Sequence, residues 1–133
     1  VSIAYEAAGV EADCLPYLED MPQRLARAHL VVSRAGASTM AELMAIGRPA
    51  ILIPFAAATD DHQTANAAGY VASGAGMLLA EEGANPARLA GLLAGFMQSP
   101  EALQQAAEAA RSLGVPDAAA RLADLVEKEV RAA

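Results

Sequence analysis

Apolar residues follow two rhythms along this chain. Leu30-Val31-Val32-Ser33 and Ala50-Ile51-Leu52-Ile53-Pro54 are short continuous runs, rich in β-branched residues and bounded by polar, Gly or Pro positions. Such runs predict buried parallel strands, because a sheet covered on both faces needs no polar alternation. Ser2 to Tyr5 and Gly76 to Leu79 are further strand candidates, so the chain is expected to begin inside a strand. The second rhythm is helical. Asp20-Met21-Pro22-Gln23 has capping-box spacing ahead of Leu25 and Ala28. Ser38 to Ile46 repeats apolar positions at Met40, Leu43 and Met44 and stops at Gly47, which predicts a glycine C-cap. His62 to Ala72 closes at Ser73-Gly74. Helices follow from Pro86 to about Met97, from Pro100 to about Leu113, and from Pro116-Asp117 to the C-terminus.

Strand and helix thus alternate, and then helices run alone. That order predicts an α/β fold: a Rossmann-like open parallel sheet with flanking helices and a helical C-terminus. The length, 133 residues, suits a single domain with an ordinary core. Hydrophobic residues make up 55% but aromatics only 4%, so Leu, Ile, Val, Met and Ala must fill that core.

Composition narrows the partners. A net charge of −7 excludes the basic surface that nucleic acid requires, and gives no polybasic route to an anionic membrane. A nucleoside diphosphate remains compatible, because helix N-termini bind phosphate without net positive charge. Cys14 is the single cysteine, which forbids an internal disulfide and suits a reducing cytosol. No apolar run reaches the roughly 18 residues that span a bilayer. The first residue is Val1, and a trimmed start is expected.

Ligands of open α/β sheets bind beyond the carboxyl ends of the strands, which draws attention to two strand-to-helix junctions. In Ser33-Arg34-Ala35-Gly36-Ala37-Ser38-Thr39-Met40-Ala41-Glu42, Gly36 permits a tight turn into the helix. The amides of Ala37, Ser38 and Thr39 then stand at the positive end of a helix dipole, a seat for diphosphate. Glu42 lies one turn further on, where a carboxylate can accept from both hydroxyls of a ribose. Taken alone, the segment reads equally well as a capped helix with a solvated acid. It lacks the Lys of a Walker loop and the G-x-G-x-x-G of a dinucleotide site.

The second junction runs from Pro54 through Asp60-Asp61-His62-Gln63-Thr64-Ala65-Asn66. Gln63 and Asn66 are three apart and share a helix face, and side-chain amides donate and accept as sugar hydroxyls require. Asp60 or Asp61 serves equally as a helix cap, and His62 as a surface or capping residue. His29 and His62 fall in separate elements without ligand spacing, so no metal site is expected.

In order and spacing, these residues resemble one family. Ser33 to Thr39 with Glu42, Gly47-Arg48-Pro49-Ala50, Pro54-Phe55 and Asp61-His62-Gln63-Thr64-Ala65-Asn66-Ala67 are similar to the C-terminal domain of the MurG family of N-acetylglucosaminyltransferases. Tyr17-Leu18-Glu19-Asp20-Met21 and Gly114-Val115-Pro116-Asp117-Ala118-Ala119 fit the same pattern, and the match covers essentially the whole chain.

The resemblance implies one half of a GT-B fold, with residues 1–133 as a single partial domain. It implies an inverting enzyme that moves GlcNAc from UDP-GlcNAc to lipid I, giving lipid II for peptidoglycan synthesis. Leu18 would meet the uracil edge through its backbone, with Tyr17 beside the base. Ala37, Ser38 and Thr39 would face the α-phosphate, Glu42 the ribose, and His62, Gln63 and Asn66 the GlcNAc hydroxyls. Arg34 would either help the diphosphate or brace the loop. No cofactor or metal is implied.

The undecaprenyl-linked acceptor, the general base and the membrane contact would belong to an N-terminal domain that this chain lacks. No catalytic residue is therefore expected within it, and the fragment alone is expected to be inactive. The implied location is cytoplasmic, peripheral at the inner face of the bacterial membrane. The family pattern departs at Ala56-Ala57-Ala58, where it often carries an aromatic or polar residue. Alternatives are a related GT-B transferase, a UDP-GlcNAc 2-epimerase, a donor-binding subunit of a split transferase, and a structural α/β domain. Antibiotic-type transferases tend to read His-Gly-Gly where this chain has Arg34-Ala35-Gly36.

Overall fold

The computed structural model describes residues 1–56 and 61–132. Three short strands, β1 (Val31–Ser33), β2 (Ala50–Leu52) and β3 (Gly76–Leu78), form a parallel sheet in the order β1-β2-β3. Helix α1 (Ser2–Ala7) and helix α2 (Met21–Arg27) precede β1. Helix α3 (Ala37–Ile46) joins β1 to β2, and α4 (His62–Ala72) lies between β2 and β3. A 3-10 turn (Glu81–Gly83) leads to α5 (Pro86–Met97), α6 (Pro100–Ser112) and α7 (Ala118–Ala132). The expected α/β alternation and helical C-terminus are both present.

β2 explains why its sequence is uniformly apolar. Its three residues are fully buried, yet alternate residues face opposite sides. Ala50 and Leu52 join Met40 and Leu43 of α3 and Ala67 and Tyr70 of α4 in one core. Ile51 faces the other way, against Phe96 of α5 and Ala106 of α6. Helices therefore cover both faces of β2, whereas Val32 of β1 and Met77 and Leu78 of β3 are exposed, so the burial on both faces expected of the Leu30–Ser33 run is not found at this edge strand.

Glycine is required at two places. Gly47 caps α3 at φ 69°, a left-handed conformation that costs other residues energy. At Gly76 a Cβ would collide with the Ala50 carbonyl oxygen, so the neighbouring strand excludes any side chain. Helices α5 and α6 start at Pro86 and Pro100 as expected, and ahead of them the side-chain oxygens of Asn85 and Ser99 accept the Arg88 and Ala102 amides at 3.0 and 3.2 Å.

Two expectations are corrected. Ser2 to Tyr5 is not a strand but part of α1, so the chain does not begin in the sheet. Among the described residues no strand pairs with it, every residue of α1 is exposed, and Glu6-Ala7 extends it with good helix formers. Asp20 does stand at the N-cap of α2, but its side chain makes no capping bond. Its carboxylate instead accepts from Arg24 Nε at 2.7 Å, which also draws its pKa down.

Candidate functional site

The strand register sets the geometry. Ser33 pairs with Leu52, and Leu52 with Leu78, so all three strands end level with one another. The segments that leave them, Arg34–Gly36, Ile53–Ala56 and Leu79–Glu81, must then emerge along one edge of the sheet. This is the carboxyl edge, where ligands of such sheets bind.

At the end of β1, Gly36 is the N-cap of α3 in an extended conformation, and no side chain caps the helix. The Ala37, Ser38 and Thr39 amides have no intrahelical acceptor, because the first turn of a helix leaves its N–H groups over. Ala37 and Ser38 are exposed and Thr39 half-buried. Glu42 is exposed one turn on from Ser38. Among the described residues it has no hydrogen-bond or ion-pair partner. The face that carries it is opposite Met40 and Leu43, which anchor α3 in the core.

The second junction folds back onto the first. Asn66 Nδ2, on α4, donates to the Ala35 carbonyl at 3.1 Å, directly ahead of Gly36. Gln63 Oε1 accepts the Phe55 N–H at 3.0 Å. The two amides thus span from the Gly36 turn to the β2 exit. His62 is the exposed first residue of α4. Asp61, just before it, holds φ 52°, and Asp is one of the few residues apart from glycine that visit this region. It makes no side-chain capping bond. Asp60, the other candidate cap, and Ala57-Ala58 lie outside the described residues.

Arg34 braces the loop. Its Nη1 donates to the Ile53 and Pro54 carbonyls at 3.3 and 3.2 Å, and its guanidinium carbon lies 5.3 Å from the centre of the Phe55 ring. Its Nη2 donates to Glu81 Oε1 at 2.5 Å. Glu81 Oε2 accepts the Ala56 N–H at 2.9 Å. The Arg34 guanidinium first, and the Ala56 amide second, hold the Glu81 carboxyl below its ordinary pKa. Sequence reasoning missed Glu81. The only available signal was its position, three residues past the end of β3.

Leu18 is half-buried on the segment leading into α2, with Tyr17 exposed beside it. Among the described residues no hydrogen bond ties either one to the Gly36 turn, although α2 packs against α3. A cavity of about 310 Å³ opens at the carboxyl edge, lined by Pro54, Ala56, Asp61, Thr64, Leu78 and Glu81 among others. Its carboxylates disfavour phosphate, which leaves the α3 tip as the anion-compatible part of the edge. A larger hollow of about 390 Å³ lies at the opposite, amino end of the strands around His29, Arg48 and Pro49, away from every candidate residue.

Comparison with known proteins bears on the family and the fold. The model of the glycosyltransferase family 28 C-terminal domain matches residues 1–122. A UDP-N-acetylglucosamine–N-acetylmuramyl-(pentapeptide) pyrophosphoryl-undecaprenol N-acetylglucosamine transferase of Rhodospirillum rubrum is 52% identical over 126 residues, covering 95% of this chain and 33% of that protein. One of the same name from Brucella canis is 51% identical over 124 residues, covering 93% and 33%. The chain therefore spans about a third of the length of the curated relatives it matches. The crystal structure of Acinetobacter baumannii MurG superposes with a TM-score of 0.85 at 34% identity, covering 94% of this chain and 37% of that one. The glycotransferase of kitacinnamycin shares the fold alone, at a TM-score of 0.63 and 24% identity over 90% of this chain and 32% of that one. By matched length, identity and fold, this chain belongs to the glycosyltransferase family 28 C-terminal domain family.

Proposed function

We propose that residues 1–133 form the UDP-GlcNAc-binding domain of an inverting peptidoglycan N-acetylglucosaminyltransferase. The observation that carries this reading is the Asn66–Ala35 hydrogen bond, which ties the sugar-type amides of α4 to the phosphate-type turn of α3. The α3 tip receives the diphosphate, Glu42 accepts from the ribose hydroxyls, and Gln63 and Asn66 meet the GlcNAc with His62 beside them. Leu18 presents its backbone to the uracil.

The reaction follows from this placement. Displacement at the anomeric carbon releases UDP, and negative charge grows on the phosphate as the bond breaks. Dipole and amides at Ala37 to Thr39 then stabilise the transition state more than the bound donor. The lipid-linked acceptor and the general base come from the remaining length seen in relatives. So does attachment at the inner face of the membrane.

Calorimetric titration of this chain with UDP and UDP-GlcNAc tests the reading. Both nucleotides are expected to bind, and Glu42→Ala is expected to weaken UDP roughly tenfold or more, because bonds to a charged group are the stronger kind. Equal UDP affinity in the two proteins would remove the ribose role from Glu42.

A further inference from the structure

The segment 53–56 is held by side chains from three other parts of the chain, and their contacts interleave residue by residue. Arg34 takes the carbonyls of Ile53 and Pro54. Gln63 takes the N–H of Phe55, and Glu81 takes the N–H of Ala56. Glu81 also binds Arg34, so one carboxylate fixes both the segment and its principal brace. The Arg34 and Glu81 side chains are 48% and 34% exposed, so their attraction as charges contributes little to stability. Their effect lies in geometry.

That geometry decides the orientation of Gln63. A backbone N–H can be accepted only by the oxygen of a side-chain amide, never by its nitrogen. The Phe55 bond therefore turns Gln63 Oε1 toward the loop and leaves Nε2 as the end that donates to another partner. If the loop backbone shifts, the amide loses what distinguishes its two ends.

We propose that Glu81 is a positioning residue for sugar recognition. By holding Arg34 and the Ala56 amide together, it places the Phe55 N–H so that Gln63 is presented as a hydrogen-bond donor. Glu81 itself does not touch the sugar. The inference rests on the donor-site reading and deepens it: the group that Gln63 meets is an oxygen acceptor, a hydroxyl or an acetamido carbonyl.

The test combines calorimetry with UDP-GlcNAc and UDP, and amide hydrogen exchange of the ligand-free chain, in wild type, Glu81→Ala and Glu81→Gln. Glu81→Ala is expected to weaken UDP-GlcNAc about 3- to 10-fold, the worth of one hydrogen bond, and UDP by less than about twofold. The Phe55 amide should exchange faster without any ligand. Glu81→Gln keeps an oxygen for the Ala56 N–H and should retain more of the preference for the sugar nucleotide. Being nearly isosteric, it also carries the test if Glu81→Ala fails to fold, with at least about a twofold fall in the UDP-GlcNAc to UDP affinity ratio expected.

An unchanged ratio in the folded variants, equal losses for both nucleotides, or unaltered Phe55 exchange would overturn the assignment of Glu81. A wild-type chain that binds neither nucleotide overturns the donor-site reading, and the Glu81 role falls with it. Wild-type binding with insensitive variants overturns the Glu81 role alone.

Discussion

Tyr70 shows how a single polar atom in the core joins distant parts of the chain. Its ring is 2% exposed among Ala50, Ala67 and Ala75, and its hydroxyl donates to the Arg48 carbonyl. Burial pushes the phenol well above its ordinary pKa, so it stays a neutral donor. Arg48 in turn donates to the Leu25 and Ala26 carbonyls at 3.0 and 2.5 Å, capping the end of α2. Tyr70→Phe keeps the ring but leaves the Arg48 carbonyl without its donor. It should cost about 1–3 kcal/mol, seen as a lower urea midpoint with an unchanged slope. Glu42, His62, Gln63 and Asn66 make a contrast, because they are exposed or half-buried and lie outside the core.

Among the elements, the helices differ in what holds them. α3 and α4 each bury residues against the sheet, whereas every described residue from Ala118 to Arg131 of α7 is exposed, Leu122, Leu125, Val126 and Val130 included. A helix of 15 residues without a packed face is marginal in water. Its amides should exchange with solvent far faster than those of α3, which mass spectrometry or NMR can measure; equal protection would show that α7 is packed in solution.

The same contrast explains what the sequence disclosed. α3 to α6 were legible because Pro, Ser and Gly punctuate helices through their own backbone chemistry. β2 was legible because burial on both faces leaves a continuous apolar run; β1 carries the same kind of run although its Val32 is exposed, so there the run marked a strand but not its burial. Ser2 to Tyr5 misled because a short apolar run carries no sign of whether a partner strand exists, and among the described residues none pairs with it. The Gly36 and Gln63 junctions could be read as a site from residue types at strand ends. Glu81 could not, since its role depends on Arg34, 47 positions earlier, which only the level ending of the strands brings alongside.

At the scale of the whole molecule, charge opposes the ligand proposed for it. The chain carries −7, and a nucleoside diphosphate sugar is also anionic. The α3 tip attracts phosphate through local amides, while the surrounding field repels it. Added salt screens the long-range repulsion more than the short-range bonds. UDP-GlcNAc affinity should therefore hold or rise, by up to about twofold, as salt increases from roughly 20 to 200 mM. A steep loss of affinity with salt would show instead that cationic side chains dominate binding.

The Asn66–Ala35 bond and the Arg34–Glu81 clamp together join the segments that leave all three strands to one another and to α4. For protein engineering, this makes Arg34 and Glu81 a linked pair: a library that varies one must vary the other, since either alone leaves the backbone of residues 53–56 without its shared support.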